Sequence, residues 1–444
     1  MPIATRPCPI PVRLGVFLAI ASCLSAAGPA RAASPETSRV TLSSTGVESD
    51  KGGAYFALSK TGRFVAFDSE GTTLAPGNGN GGFDVYVRDL KRRKTERVSV
   101  SSAGVEGDGQ SYDPAISATG RHVAFTSSAT NFVSGDTNGF GDVFVRDRKT
   151  RRTTRVSVAS DGTEANAESN DAGISGNGRV VVFTSMASTL VDGDGNGSLD
   201  VFVHDRKTHE TARVSVADDG TEGDGTSSVT TNQSSISGSG RYVVFYSDAT
   251  NLVAGDTNDR RDIFVRDRKT RTTRRLSVST NGTQANGDSY DPVISADGRW
   301  VAFTSSADNL VPDDTNGAYD VFVHDRKTHE TTRVSLASDG METHGTASDA
   351  GISADGRSVV FASDAADVVG DDVNQASDVF LRDRKLGTTT RLSVGAASVL
   401  ANDRSFACTL SADGRVVGFD SFATNLVGDD QNGTEDVFVR GPLR

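Results

Sequence analysis

A unit of 58 residues recurs seven times along this chain, and the last strand of the final copy stands at the beginning of the chain. The unit is clearest around Gly298, as ISADGRWVAFTSSADNLVPDDTNGAYDVFVHDRKTHETTRVS. Three anchors keep its register. A turn glycine recurs at Gly62, Gly120, Gly178, Gly240, Gly298, Gly356 and Gly414. The aspartate opening the DVFV run recurs at Asp84, Asp142, Asp200, Asp262, Asp320, Asp378 and Asp436. The first apolar residue of the RVSV run recurs at Val40, Val98, Val156, Val214, Leu276, Val334 and Leu392. Every step is 58 residues except one of 62 in each series. Repetition at such a period restricts the fold to solenoids, propellers or arrays.

Each unit predicts four short strands. The first ends in Ile294-Ser295, the second is Arg299 to Phe303, the third Asp320 to Val323 and the fourth Thr332 to Leu336. Val, Ile, Phe and Thr dominate them, as a pleated, packed surface prefers. Gly, Asp, Asn and Ser bound them, and Asp297-Gly298 makes a tight hairpin turn. No apolar pattern of helical period is long enough for a helix. Seven four-stranded meanders bury their faces by packing radially, which is the β-propeller arrangement. The last unit has only three strands before Arg444, and the orphan Arg39 to Leu42 completes it. An open solenoid needs no such permutation. The expectation is an all-β, seven-bladed propeller over residues 33–444, closed by its N-terminal strand.

The run from Ile294 to Phe303 and the DVFVRD-type run such as Asp262 to Asp267 resemble the WD-repeat-like propeller module of the TolB family of bacterial envelope proteins. The resemblance spans about residues 39–441 and implies the fold rather than a function. It differs in its longer unit and in having seven units where TolB-type propellers have six and a separate domain.

Residues 1–32 read as an export signal. Arg6 and Arg13 precede the apolar run Leu14 to Gly28, and Ala30-Arg31-Ala32 fits a small-x-small cleavage site. The run is short for a membrane span. Ile20-Ala21-Ser22-Cys23 resembles a lipobox, so the alternative to soluble export, periplasmic or extracellular, is a lipid anchor at Cys23. Without the signal the chain carries 43 basic against 58 acidic residues, a net of −15. That excludes nonspecific nucleic-acid binding and suits a soluble exported monomer. Cys408 is then the one remaining cysteine, expected as a buried, inert thiol.

A meander places alternate connections at opposite ends. In the fifth unit the short-turn end carries Asp297, Arg299, Asp325, Arg326, Lys327, Glu330 and Arg333, a net of +1. The long-loop end carries Asp308, Asp313, Asp314, Asp320, Asp339, Glu342 and Asp349, a net of −7. Long loops on a rigid scaffold are where binding concentrates.

Two sets of acidic residues stand out on that end. Asp192, Asp194, Asn196 and Asp200 occupy positions 1, 3, 5 and 9 of a loop with Gly197 at position 6. Alternating oxygen ligands around a glycine bend suit Ca²⁺, and the spacing resembles the calcium loops of FG-GAP propellers. Val203 at position 12 and the absence of flanking helices exclude an EF-hand. The competing reading is local: Asp and Asn fold loops by bonding their own backbone. The second set aligns Tyr55, Asp113, Asp171, Gln233, Asp291, Asp349 and Ala407 before the innermost strand. Asp113, Asp171, Gln233, Asp291 and Asp349 are candidates for a ligand-binding ring at the channel mouth, or for caps of the turn into the strand. His204 and His209, matched by His324 and His329, decorate a short turn rather than bind metal. No GxSxG, HExxH or phosphate-loop motif occurs in the repeats.

Two functions follow. The first is a noncatalytic exported binding or scaffold propeller, with calcium as a candidate stabiliser, whose acidic face meets a protein, a glycan or a cationic ligand. The alternative is a metal-assisted hydrolase or lyase with its site at the channel mouth. Near-perfect repetition favours the first, because an active site needs different residues in different blades.

Overall fold

The computed structural model describes Met1 and residues 34–230, 234–370, 372 and 374–443. The expected signal sequence, Cys23 and Gln233 lie outside them. Seven four-stranded antiparallel sheets follow one another. Blade 5 shows the pattern with strands Ser289–Ile294, Trp300–Ser305, Asp320–Asp325 and Glu330–Arg333, ordered from the inside out. Phe303 and Phe322 face one another across the second and third strands, and their rings stack at 5.9 Å. The same stacked pair recurs in every blade, from Phe67–Tyr86 to Phe419–Phe438. These rings are fully buried between sheets, so neighbouring blades share one apolar core.

The short turns join the ends of each blade. Arg299 grips Asp325 with both arms, at 2.9 and 2.5 Å, and Asp325 also accepts the Lys327 N–H at 2.9 Å. Gly298 sits at φ +79°, and a Cβ there would lie 2.4 Å from the Tyr242 ring of the preceding blade. Backbone conformation and blade packing both require glycine at that turn.

The ring closes as the permutation predicts. Glu36–Arg39 pairs antiparallel with Asp436–Gly441, with Glu36 opposite Gly441 and Arg39 opposite Phe438. Backbone bonds between short turns also circle the channel. One runs from Lys60 N to Ala118 O, another from Ala118 N to Gly176 O, and Asp413 N donates to Lys60 O across the seam of blades 7 and 1. Leu58, Ile116, Ile174, Ile236, Ile294, Ile352 and Leu410, one from each blade, line a central cavity of about 340 Å³.

The fourth strand differs from expectation. It ends at Arg333, where Thr332 to Leu336 was expected to be the strand, and the closing strand is Glu36–Arg39 rather than Arg39 to Leu42. The cause lies in the side chains that follow. Ser335 Oγ takes the Val321 N–H at 3.1 Å, so a hydroxyl replaces the backbone carbonyl in the ladder. Val334 keeps one bond, to Val321 O at 2.8 Å, and turns into the core. Arg333 consequently belongs to the long-loop end rather than the short-turn end where the charge count placed it.

Candidate cation-binding face

Each fourth strand delivers its terminal arginine into the acidic loops. In blade 3, Arg213 Nη1 lies 3.4 Å from Asp194 and 2.9 Å from Asp200, and it also bonds Glu222. Asp200 accepts Ser215 Oγ at 2.5 Å, and Glu222 accepts the Gly195 N–H at 3.2 Å. Blade 5 repeats the clamp with Arg333 on Asp314, Asp320 and Glu342, at 3.1, 3.1 and 2.7 Å. Blade 2 repeats it with Arg155 on Asp136, Asp142 and Glu164. Blade 7 does so across the seam, with Arg39 on Asp430, Asp436 and Glu48. Blades 1, 4 and 6 keep two acids each, because Asn78, Gln284 and Leu400 stand where the third would be.

The expected calcium loop falls within this clamp. Asp194 and Asp200 do come together, and with Glu222 their carboxylates are close enough to hold one metal ion. The same holds for Asp314, Asp320 and Glu342, and for Glu48, Asp430 and Asp436. Asp192 stands outside the group and is exposed. Asn196 turns its amide N–H to Asp200 at 3.2 Å, while its carbonyl accepts the Ser198 N–H at 2.7 Å. A guanidinium thus lies where the three carboxylates converge. Burial still pushes Asp194, Asp314 and Asp430 up to about 6, against the pull of the arginine. Glu222, Glu164 and Glu342 come from the connection to the next blade, 22 residues beyond the third-strand aspartate. That distance hid them from a reading of the loop alone.

The inner ring has a different geometry. Asp113, Asp171, Asp291 and Asp349 all sit at a β-bulge of the innermost strand, with φ between +51° and +56°. Aspartate tolerates this left-handed conformation better than most residues, which gives these positions a backbone role. Asp171 accepts Ser228 Oγ of blade 4 at 3.1 Å, and Asp349 accepts Ser348 Oγ of its own strand at 3.2 Å. The four aspartates are not among the residues lining the central cavity. Burial and the nearby Asp171 push Asp113 up to about 7, and burial and Asp349 push Asp291 to about 6. In blade 4 the matching contact is made by Val229, whose N–H reaches Thr184 Oγ1 at 3.3 Å as the Asp113 N–H reaches Asp68 at 3.2 Å. The four extra residues therefore follow the ring position rather than precede it.

Two acids outside both sets complete the picture. Asp68 and Asp420 occupy the second-strand position that is Thr126, Thr184, Tyr246, Thr304 or Ala362 in the other blades. Both are buried, and Oδ1 of each has no hydrogen-bond partner. Burial, reinforced by Asp113 for Asp68 and by Glu435 for Asp420, raises both far above the ordinary carboxylate range. The repeat made them visible in the sequence, as carboxylates at a position where the other five blades have none. His204 and His324 are buried against Thr211 and Thr331 at 2.9 Å, in the place where other blades put an arginine on the same threonine. Cys408 is buried and free, and its Sγ donates to Asp349 O at 2.8 Å.

No protein-family model matches the chain, and no curated protein matches it. Solved propellers do. An oligogalacturonate lyase in complex with manganese is 13% identical, with a TM-score of 0.51, over 93% of this chain and 97% of that one. A prolyl endopeptidase is 12% identical, with a TM-score of 0.52, over 89% of this chain and half of that one. TolB from Acinetobacter baumannii is 15% identical, with a TM-score of 0.39; the match covers 77% of this chain and 63% of that protein. At these identities the likeness concerns the fold.

Proposed function

We propose that this chain is a noncatalytic, exported binding propeller that presents its long-loop face to a cationic partner. One observation carries the reading. The acid groups of the outer loops at that end are closed by the chain's own arginines, while Asp192, Asp308, Asp313 and Asp339 remain exposed around them. An internally neutralised scaffold with an outer acidic rim is rigid where it must hold shape and charged where it meets solvent. Calcium enters as the ion that would replace an arginine in a clamp such as Asp194, Asp200 and Glu222. Chelator and added Ca²⁺ in a thermal melt test that directly. Export rests on the N-terminal sequence, and fractionation of the wild type against Cys23→Ala separates soluble from lipid-anchored protein.

The face itself is tested on immobilised poly-L-lysine. Removing three long-loop charges (Asp192→Asn, Asp308→Asn, Asp339→Asn) should weaken binding about tenfold. Removing three short-turn charges (Glu210→Gln, Asp297→Asn, Glu330→Gln) lowers the net charge equally and should change it by about twofold or less. Equal losses would mean that net charge alone governs, and the reading would fail.

A further inference from the structure

The chain inserts an arginine into the acid cluster of each outer loop, but the acids at the junction of blades 7, 1 and 2 receive none. Among the described residues, Asp68 and Asp420 make no ion pair. Asp68 Oδ2 accepts the Asp113 N–H at 3.2 Å, and its Oδ1 is buried without a partner. Asp420 has the same orphan Oδ1, with the carboxyl of Glu435 beside it. The backbone ties these groups together. Gly53 N donates to Glu435 O at 3.0 Å, and Asp68 N donates to Tyr55 O at 3.1 Å. Tyr55, 49% exposed, lies beside Asp68, Asp113, Asp420 and Glu435.

A buried threonine hydroxyl left without a partner at this position, as in Thr126 and Thr304, costs far less than a buried carboxylate in the same state. A buried carboxyl needs either a proton or a cation. Both blades flanking the seam have exchanged the first for the second. The geometry points to a binding site for an organic cation, an ammonium or guanidinium group held by Asp68, Asp420 and Glu435 with Asp113 and Tyr55 around it. This rests on the binding-face reading and names its ligand class. An organic group fits better than a metal ion. Among the described residues, the acid trios compact enough for one ion are the outer clamps, and this junction is not one of them. A guanidinium bonds several carboxylates at once, as Arg213 and Arg333 do in the clamps, and its planar fork of donors does not require them to converge on one point. The Tyr55 ring adds a face for the cation.

Calorimetry on the full chain tests the site, with arginine amide, an arginine tripeptide and spermidine as probes and CaCl₂ and MnCl₂ as competitors. Asp68→Thr and Asp420→Thr install the residue that other blades carry, so the fold has a precedent for them; melting curves check it, and Asp68→Asn serves as a second variant. The expected result is saturable 1:1 binding of at least one probe, weakened about tenfold in each Thr variant and unchanged in the short-turn variant Glu210→Gln. Binding should strengthen from about pH 5 to pH 8, because the cation must displace protons from carboxyls that Asp113, Glu435, Asp349 and Tyr55 surround, with only Arg404 beside Glu435 opposing. A preference for spermidine assigns a free amine, and a preference for an arginine tripeptide assigns a basic protein segment. No binding, equal binding by the Thr variants, or uptake of Ca²⁺ or Mn²⁺ in place of the probes would overturn the site. If poly-L-lysine still selects the long-loop face in that case, the site fails alone; if that selectivity is absent too, the binding-face reading fails with it.

Discussion

Two groups of buried acids share one end of this propeller, and the chain treats them in opposite ways. Asp194, Asp200 and Glu222 surround a guanidinium supplied from the same blade. Asp68 and Asp420, near the ring's inner edge, have neighbours of their own sign. The outer group recurs blade after blade and makes loops rigid. The inner group occurs at one junction, so it cannot be part of what every blade needs to fold. The contrast separates acid used as structural material from acid held in reserve.

The largest effect should come from breaking an outer clamp. Arg213→Ala leaves three carboxylates converging without a partner, and removal of one member of a buried ion pair costs about 3–5 kcal/mol. Urea denaturation reads the loss. Calcium should recover part of it in the variant, since the carboxylates that remain are close enough for one ion, while leaving the wild type unchanged. A calcium-stabilised wild type would show instead that the ion displaces the arginine.

Next in size is the response to pH, to which the inner acids contribute together with Asp194, Asp314 and Asp430 of the clamps, each at about 6. Asp113, at about 7, and Asp291, at about 6, hold protons in the folded state that the unfolded chain has released. Asp68 and Asp420 are shifted in the same direction. Native protein binds more protons between about pH 4 and pH 7, so stability falls as pH rises through that window. The short-turn aspartates act oppositely. Asp267 is lowered to about 2 by its Arg241 and backbone bonds, which outweigh burial; its contribution is present above about pH 4 and is lost as pH falls. Melting temperature should therefore peak near about pH 5 and decline toward pH 8. Asp68→Thr and Asp420→Thr should flatten the decline. A curve unchanged by both would remove the charge contrast between the two groups.

A third variant moves the inner chemistry to a blade that lacks it. Thr126 holds the Asp68 position in blade 2, buried and with its hydroxyl unpartnered. Thr126→Asp should destabilise by about 1–3 kcal/mol at pH 8 and less at pH 5, because the new carboxyl must be neutralised. A loss independent of pH would point to sterics rather than charge.

How far these distinctions were legible in the sequence depended on their range. The repeat fixed blade number, strand order and the closing permutation, because a period of 58 residues and an orphan strand leave few topologies. It also located Asp194 and Asp200. It missed the clamp because Arg333 was read at the start of a strand that it in fact ends, where the hydroxyl of Ser335 interrupts the ladder. Glu342 escaped for a related reason: it meets Asp320 only once the outgoing connection folds back. Asp68 and Asp420 were within reach. FVAFDS beside HVAFTS and WVAFTS shows a carboxylate in place of a hydroxyl, but only burial reveals that the exchange is costly.

The smallest effect tests the loop that first suggested calcium. Asp192 opens the alternating Asp-Gly-Asp-Gly-Asn-Gly loop, yet it is exposed and lies outside the clamp formed by Asp194, Asp200 and Glu222. An exposed substitution away from caps and buried networks shifts stability by about 0.5 kcal/mol or less. Asp192→Asn should melt with the wild type, with and without calcium, while Asp194→Asn should not, since Asp194 faces Arg213. If Asp192→Asn instead removed a calcium-dependent rise in melting temperature, the four-residue spacing would have identified the ligands correctly. The guanidinium would then be a tenant of the apo form, and the outer and inner acids would differ in what occupies them rather than in whether the chain satisfies them.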